Sequence, residues 1–105
     1  MPARYKIEIA KTAEKDIAEI WEYIARHFSD NAARFVLRLE GKIGALERSP
    51  LRCPPIPENA LLGTDYRHLI LGEYRVIFRV ERTIVFVLRM LHGNRLLDTS
   101  SLGSP

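Results

Sequence analysis

The chain has 105 residues, 47% hydrophobic and 28% charged, with a net charge of +3. That is enough for one domain with a modest core and too little for two, and no apolar run approaches the ~18 residues a membrane span needs. A single cysteine, Cys53, excludes an internal disulfide. Lys6, Glu8 and Lys11 interrupt any signal-peptide apolar core, so a cytoplasmic location is expected.

Residues 4–10 alternate Tyr5, Ile7 and Ile9 with Lys6 and Glu8, which predicts a first strand. Thr12 is placed to cap a following helix, with Glu14 and Asp16 in the first turn, where the helix dipole favours acids. Ala13, Ile17, Ile20, Trp21, Ile24 and Phe28 fall on one helical stripe, and Trp21 reads as a core anchor. Ser29-Asp30-Asn31 breaks the pattern and offers a second cap. Ala32, Phe35, Val36, Leu39, Ile43 and Leu46 then form another stripe, ending at Ser49-Pro50. So short a link makes the two helices an αα-hairpin. Gly41 and Gly44 weaken the second helix by roughly 1 kcal/mol each relative to alanine and leave close packing or a bend open.

Residues 49–64 carry prolines at 50, 54, 55 and 57 and read as a loop without regular structure over most of its length. After it come three apolar runs separated by Gly72-Glu73 and Glu81-Arg82-Thr83. Val76, Phe78 and Val80 alternate with Arg75, Ile77 and Arg79, and Ile84, Phe86, Leu88 and Met90 alternate with Val85, Val87 and Arg89. A period of two with such short connections predicts a three-stranded antiparallel meander. The order is β-α-α-β-β-β, an α+β fold with a helical hairpin packed on a mostly antiparallel four-stranded sheet, the first strand at its edge. Trp21 and Leu39 are expected to pack against Val76, Phe78 and Phe86, leaving the other face or the rim for arginines. The domain is expected to span residues 1–98, with a disordered tail at 99–105.

Charge is unevenly placed. Residues 1–48 hold nine Lys/Arg against eight Asp/Glu, whereas residues 66–95 hold six arginines against two glutamates. A sheet with that cargo suits an anionic partner, because the planar guanidinium makes bidentate bonds to carboxylate and phosphate. His27, His68 and His92 are too scattered for a zinc site, and no HExxH, CxxC or Gly-rich phosphate loop occurs. No metal or cofactor is expected. Cys53 sits among prolines without an adjacent His or acid, which argues against a catalytic thiol.

The ordered set YR-h-L, GEYRVIF and LRMLH-x-x-R, following two amphipathic helices, resembles the RelE/ParE superfamily of bacterial toxin–antitoxin toxins over residues 5–95. The YRVIF and LRMLH pieces are more similar to the ParE branch. That resemblance implies a toxin that poisons DNA gyrase and is held inactive by a cognate, ParD-like antitoxin. Arg67, Arg75, Arg89, His92 and Arg95 would then be target contacts, and the Pro-rich loop and the outer surface of the helical hairpin would be antitoxin docking sites. The alternative is a RelE-like, ribosome-dependent mRNA endoribonuclease, in which Arg67 and Arg75 would stabilise charge and His92 would act as acid or base. Against it, the chain has no lysine after Lys42 and no tyrosine after Tyr74, and Leu69 stands where a second basic residue is expected. A third reading is a small binding domain of this fold with a different activity.

Overall fold

A computed structural model describes residues 4–98. The elements are β1 (Lys6–Ile9), α1 (Lys11–His27), α2 (Ser29–Ala45), a 3-10 turn (Pro50–Arg52), a single-turn helix α3 (Asn59–Leu62), β2 (Arg67–Leu71), β3 (Tyr74–Glu81) and β4 (Ile84–His92). The strands form one sheet in the order β1-β4-β3-β2. β2, β3 and β4 are the antiparallel meander, and β1 joins it parallel to β4 at the edge. The expected tail at 99–105 lies outside the described residues.

The apolar stripes of α1 and α2 pack on one face of the sheet. Leu39, Leu46, Val76, Phe78, Val85, Val87 and Met90 form the main core, with Ile17, Ile20, Ile24 and Ile43 packed against it. Gly72 turns β2 into β3 at φ 59°, a left-handed conformation that glycine adopts without a side-chain clash. The Pro-rich segment is more ordered than its prolines suggest, because the 3-10 turn and α3 both lie in it. Asn59 stabilises α3 and its exit. It donates to the Tyr66 carbonyl at 2.8 Å and accepts from Thr64 Oγ1 and the Tyr66 amide at 2.7 and 3.0 Å.

A β-bulge decides which residues of β4 face the helices. Ile77 pairs with Arg89 but Phe78 pairs with Val87, so Leu88 is the extra residue. Val85, Val87 and Met90 therefore face the helices, and Phe86 does not. It lies half-buried on the other face beneath the Arg79 guanidinium, 4.2 Å from its ring centroid. β1 ends opposite Val87, and the start of α1 takes over the backbone groups of β4 beyond it. The Ala10 amide donates to the Val87 carbonyl at 2.9 Å, Thr12 Oγ1 to the Leu88 carbonyl at 2.8 Å, and the Met90 amide to Asp16 at 3.0 Å. Thr12 thus fastens the helix to the bulge and makes no cap; no side chain caps α1 or α2.

Two further expectations fail. Trp21 is 43% exposed, because the α1 stripe turns Ala13, Ile17, Ile20 and Ile24 to the sheet and leaves Trp21 at its border. The sheet's second face is also not a bare arginine surface. Ile77 and Leu91 are buried there under Ile56, Leu62, Tyr66 and Leu97, so the loop and the C-terminal segment cover part of it with a second apolar cluster.

Candidate functional site

The centre of that second face is an ion pair. Arg75 and Glu58 are 4% and 5% exposed, and the guanidinium meets the carboxylate through two bonds, Nη1 to Oε1 at 3.0 Å and Nη2 to Oε2. Nη2 also donates to the Arg95 carbonyl at 2.8 Å, and the Leu97 amide donates to Glu58 Oε2 at 2.9 Å. Arg75 comes from β3, Glu58 from the Pro-rich loop and Leu97 from the C-terminal segment. The pair therefore ties three distant pieces of chain together. The Arg75 hydrogen bond, against an opposing cost of burial, holds the Glu58 carboxyl at a pKa of about 2. His68 Nδ1 lies 3.3 Å from Arg75 Nη1, and burial followed by the arginine charge lowers its pKa. The imidazole is thus neutral at pH 7 and accepts from the guanidinium.

A second pair locks α1 to β4. Asp16, on the buried side of α1, accepts from Arg89 Nε at 2.5 Å and from Arg89 Nη2 at 2.9 Å, in addition to the Met90 amide. Its carboxylate raises the Arg89 pKa. Arg67 is half-buried and donates to the carbonyls of Leu51 and Cys53 at 3.3 and 2.5 Å, which fixes the start of the loop. Burial pushes the Cys53 thiol pKa up, away from the thiolate a nucleophile needs.

At the C-terminal end of β4 the environment is open. His92 and Arg95 are exposed. The His92 ring stands edge-on to Tyr74 at 5.8 Å, and its Nδ1 accepts from the Asn94 amide at 3.2 Å. Burial and the neighbouring Glu73 raise the Tyr74 pKa, so the phenol stays protonated.

These positions separate the five residues singled out from sequence. Ile70 pairs with Arg75 and Arg67 with Phe78, so the period of two puts Arg67 and Arg75 on opposite faces. Arg75 and Arg89 are buried in internal pairs, whereas His92 and Arg95 lie together at one end of the sheet. The sequence reading missed both acids of the buried pairs. Each left a signal: Glu58 is the sole acid in residues 49–64, and Asp16 sits three residues after Ala13, on the apolar stripe.

A helical hairpin on a four-stranded mixed sheet, with a basic β3 and an open end at β4, is the RelE/ParE-like toxin fold. Solved toxin–antitoxin structures are among those that share it. The chromosomal ParDE system of P. aeruginosa matches with a TM-score of 0.67 and 16% identity, over 85% of this chain and 96% of that one. The RelBE2 toxin–antitoxin complex of Mycobacterium tuberculosis matches with a TM-score of 0.59 and 25% identity, over 86% and 99%. No curated protein sequence matches the chain. The family model for the ParE toxin of the type II toxin–antitoxin system parDE matches residues 7–97. The chain belongs to the ParE toxin family.

Proposed function

We propose that this toxin arrests growth by binding DNA gyrase and trapping it on broken DNA, with no hydrolytic step of its own, and that a cognate antitoxin neutralises it. One observation favours this over the ribonuclease alternative. Arg75, the cation such a nuclease would aim at its phosphate, is buried and bonded to Glu58 and to the Arg95 carbonyl. Arg67, the second cation of that scheme, belongs to the opposite face. His92 is then left without a partner set for proton transfer at a ribose. In the inhibitor reading, His92 and Arg95 contact the target directly, and Arg67, Arg75 and Arg89 hold the framework that presents them. A surface binder requires only that exposed cations be held in place, which the buried pairs accomplish.

The test is a supercoiling and cleavage assay with purified gyrase, run beside a translation assay with purified ribosomes. Loss of supercoiling with accumulated breaks, weakened by Arg95→Ala, supports the proposal. Full gyrase activity at high toxin concentration removes it, and mRNA cut on the ribosome would put the nuclease in its place. No helix of the described residues is long and apolar enough to cross a membrane.

A further inference from the structure

The end of the molecule opposite His92 and Arg95 carries the chain's surplus of positive charge. β1, β2 and β4 begin there and β3 ends there, as their registers require. The Tyr5 amide donates to the Glu47 carbonyl and the Lys6 amide to the Thr83 carbonyl, both at 2.8 Å, so the exit of α2 and the β3–β4 turn flank the start of β1. Segments 4–8, 42–53, 65–67 and 79–83 form this end. They hold eight Lys/Arg against four Asp/Glu, a surplus larger than the +3 of the whole chain. Three of those acids are already engaged: Glu47 with Arg4 at 3.8 Å, Glu8 with Lys6 at 3.5 Å and Glu81 with Arg79 at 2.5 Å.

A recess of about 560 Å³ opens in this end, between the last turn of α2 and the 3-10 turn. Lys42, Arg48 and Arg52 line it and are exposed, and among the described residues none of the three forms an ion pair. The backbone that carries them is held. Arg67 donates to the Leu51 and Cys53 carbonyls on either side of Arg52, and the Arg48 and Ser49 amides both donate to the Ala45 carbonyl at 3.2 Å. Burial raises the pKa of Cys53, which also lines the recess, and the Arg67 and Lys42 charges oppose that rise, so both cations act on the recess. The helix dipole accounts for Lys42, in the last turn of α2, but not for Arg52, which lies beyond the helix.

We propose that this recess binds the phosphodiester backbone of duplex DNA through Lys42, Arg48 and Arg52. The lining selects the occupant. A protein partner anchors on large apolar side chains at the centre of its interface, and none of the exposed large apolar residues lines this recess. No aromatic ring lines it either, so a splayed single-stranded base has nothing to stack on. What the recess offers is contact with phosphates, whatever the sequence, and a duplex presents one charge about every 1.7 Å along its axis. The choice of DNA rests on the gyrase reading above, since gyrase halted on broken DNA offers a duplex beside the toxin. β3 runs from the His92 end to this one and spans roughly 24 Å. One toxin can therefore touch the enzyme with one end and the enzyme's DNA with the other. A toxin so placed makes contacts on the cleaved complex that free gyrase lacks.

The test titrates the toxin with a short mixed-sequence DNA duplex, an RNA duplex of the same length and a polyglutamate peptide, between about 50 and 200 mM salt. The toxins compared are wild type, Lys42→Gln/Arg48→Gln/Arg52→Gln, and a charge-matched control, Arg26→Gln/Arg34→Gln/Arg38→Gln. All six substituted side chains are exposed, and a thermal melt of each variant verifies folding. For wild type, log K should fall against log salt with a slope of about −2.7, the value for three phosphates. The recess variant should bind DNA at least ~10-fold more weakly at the lowest salt, with a slope shallower than about −1, and the control should stay within about threefold of wild type. No binding by wild type, no loss in the recess variant, or an equal loss in the control overturns the proposal. Polyglutamate bound as tightly as DNA and lost in the recess variant replaces the nucleic acid with an acidic protein, and a preference for the RNA duplex replaces the DNA. The gyrase cleavage assay with the same toxins keeps the two readings apart. Wild type without effect on gyrase removes the gyrase reading, while the DNA titration, which contains no gyrase, stands or falls by itself. A recess variant that has lost DNA binding but poisons gyrase at the wild-type concentration overturns the use of this end on the enzyme's DNA.

Discussion

Glu58→Gln removes one charge from a pair that folding has already taken out of water. The variant keeps the size and some of the hydrogen bonding of the carboxylate, but it leaves the Arg75 guanidinium buried without a counter-charge. Losing one member of a buried pair costs about 3–5 kcal/mol. An independent route gives a similar figure. A carboxyl lowered from 4.5 to about 2 on folding contributes about 3 kcal/mol when ionised. For a domain of this size that is a fall in Tm of about 15 °C. The sign with pH follows from the direction of the shift. The contribution is complete above the unfolded value of 4.5 and disappears as pH falls toward about 2. Urea denaturation of wild type and variant between pH 7 and pH 2.5 should thus give two curves that converge on the acid side. Arg75→Met added to Glu58→Gln should recover more than half of the loss, because no unpaired charge then stays buried. A Glu58→Gln cost within about 0.5 kcal/mol of zero at pH 7 would refute the reasoning, since that is the scatter of a surface substitution. A loss undiminished in acid would refute it equally.

Asp16→Ala should destabilise the fold by about 3–5 kcal/mol, because Arg89 loses its carboxylate and the Met90 amide its acceptor at once; chemical denaturation reads this directly. Gly41→Ala and Gly44→Ala should each stabilise α2 by up to about 1 kcal/mol, because an added Cβ at either position has nothing within 4 Å. That outcome, measured as a rise in urea midpoint at constant slope, separates open space from the close packing or bend that glycine permits. Trp21→Ala should cost well below the ~3–5 kcal/mol of a buried tryptophan, given its exposed position, and a core-sized loss would contradict the placement of α1.

Element order and type were legible because each strong signal was local. The stripe from Ala32 to Leu46 and the alternation from Val76 to Val80 are periodicities a few residues long, and the two short connections left hairpins as the only solution. What failed depended on distant residues. The bulge at Leu88 reverses the face on which Phe86 lies, and no residue in β4 announces it, because its backbone is satisfied by Thr12, 76 positions away. The burial of Trp21 was argued from a stripe that also took in Phe28, and both are exposed. A helix packed on a sheet buries a narrower arc than a helix packed on all sides, and a border residue belongs to either side until the packing angle is known.

The arginines show the same limit in the site. A period of two reveals that Arg75 and Arg79 share a face, but not whether solvent, a partner or the protein's own loop meets that face. Here the loop supplies Glu58 and the C-terminal segment supplies Leu97, so most of the sheet's apparent excess of charge is cancelled or bonded from within. Among the exposed cations without ion pairs in the described residues, Arg34 and Arg38 line a recess at the α1–α2 turn and Arg95 lines the recess beside it, beyond β4. No short motif unites those three, since two belong to α2 and one follows β4. Only the fold brings them to recesses that share Tyr23, Glu73 and Tyr74, and a surface assembled in this way is invisible to any reading of one strand at a time.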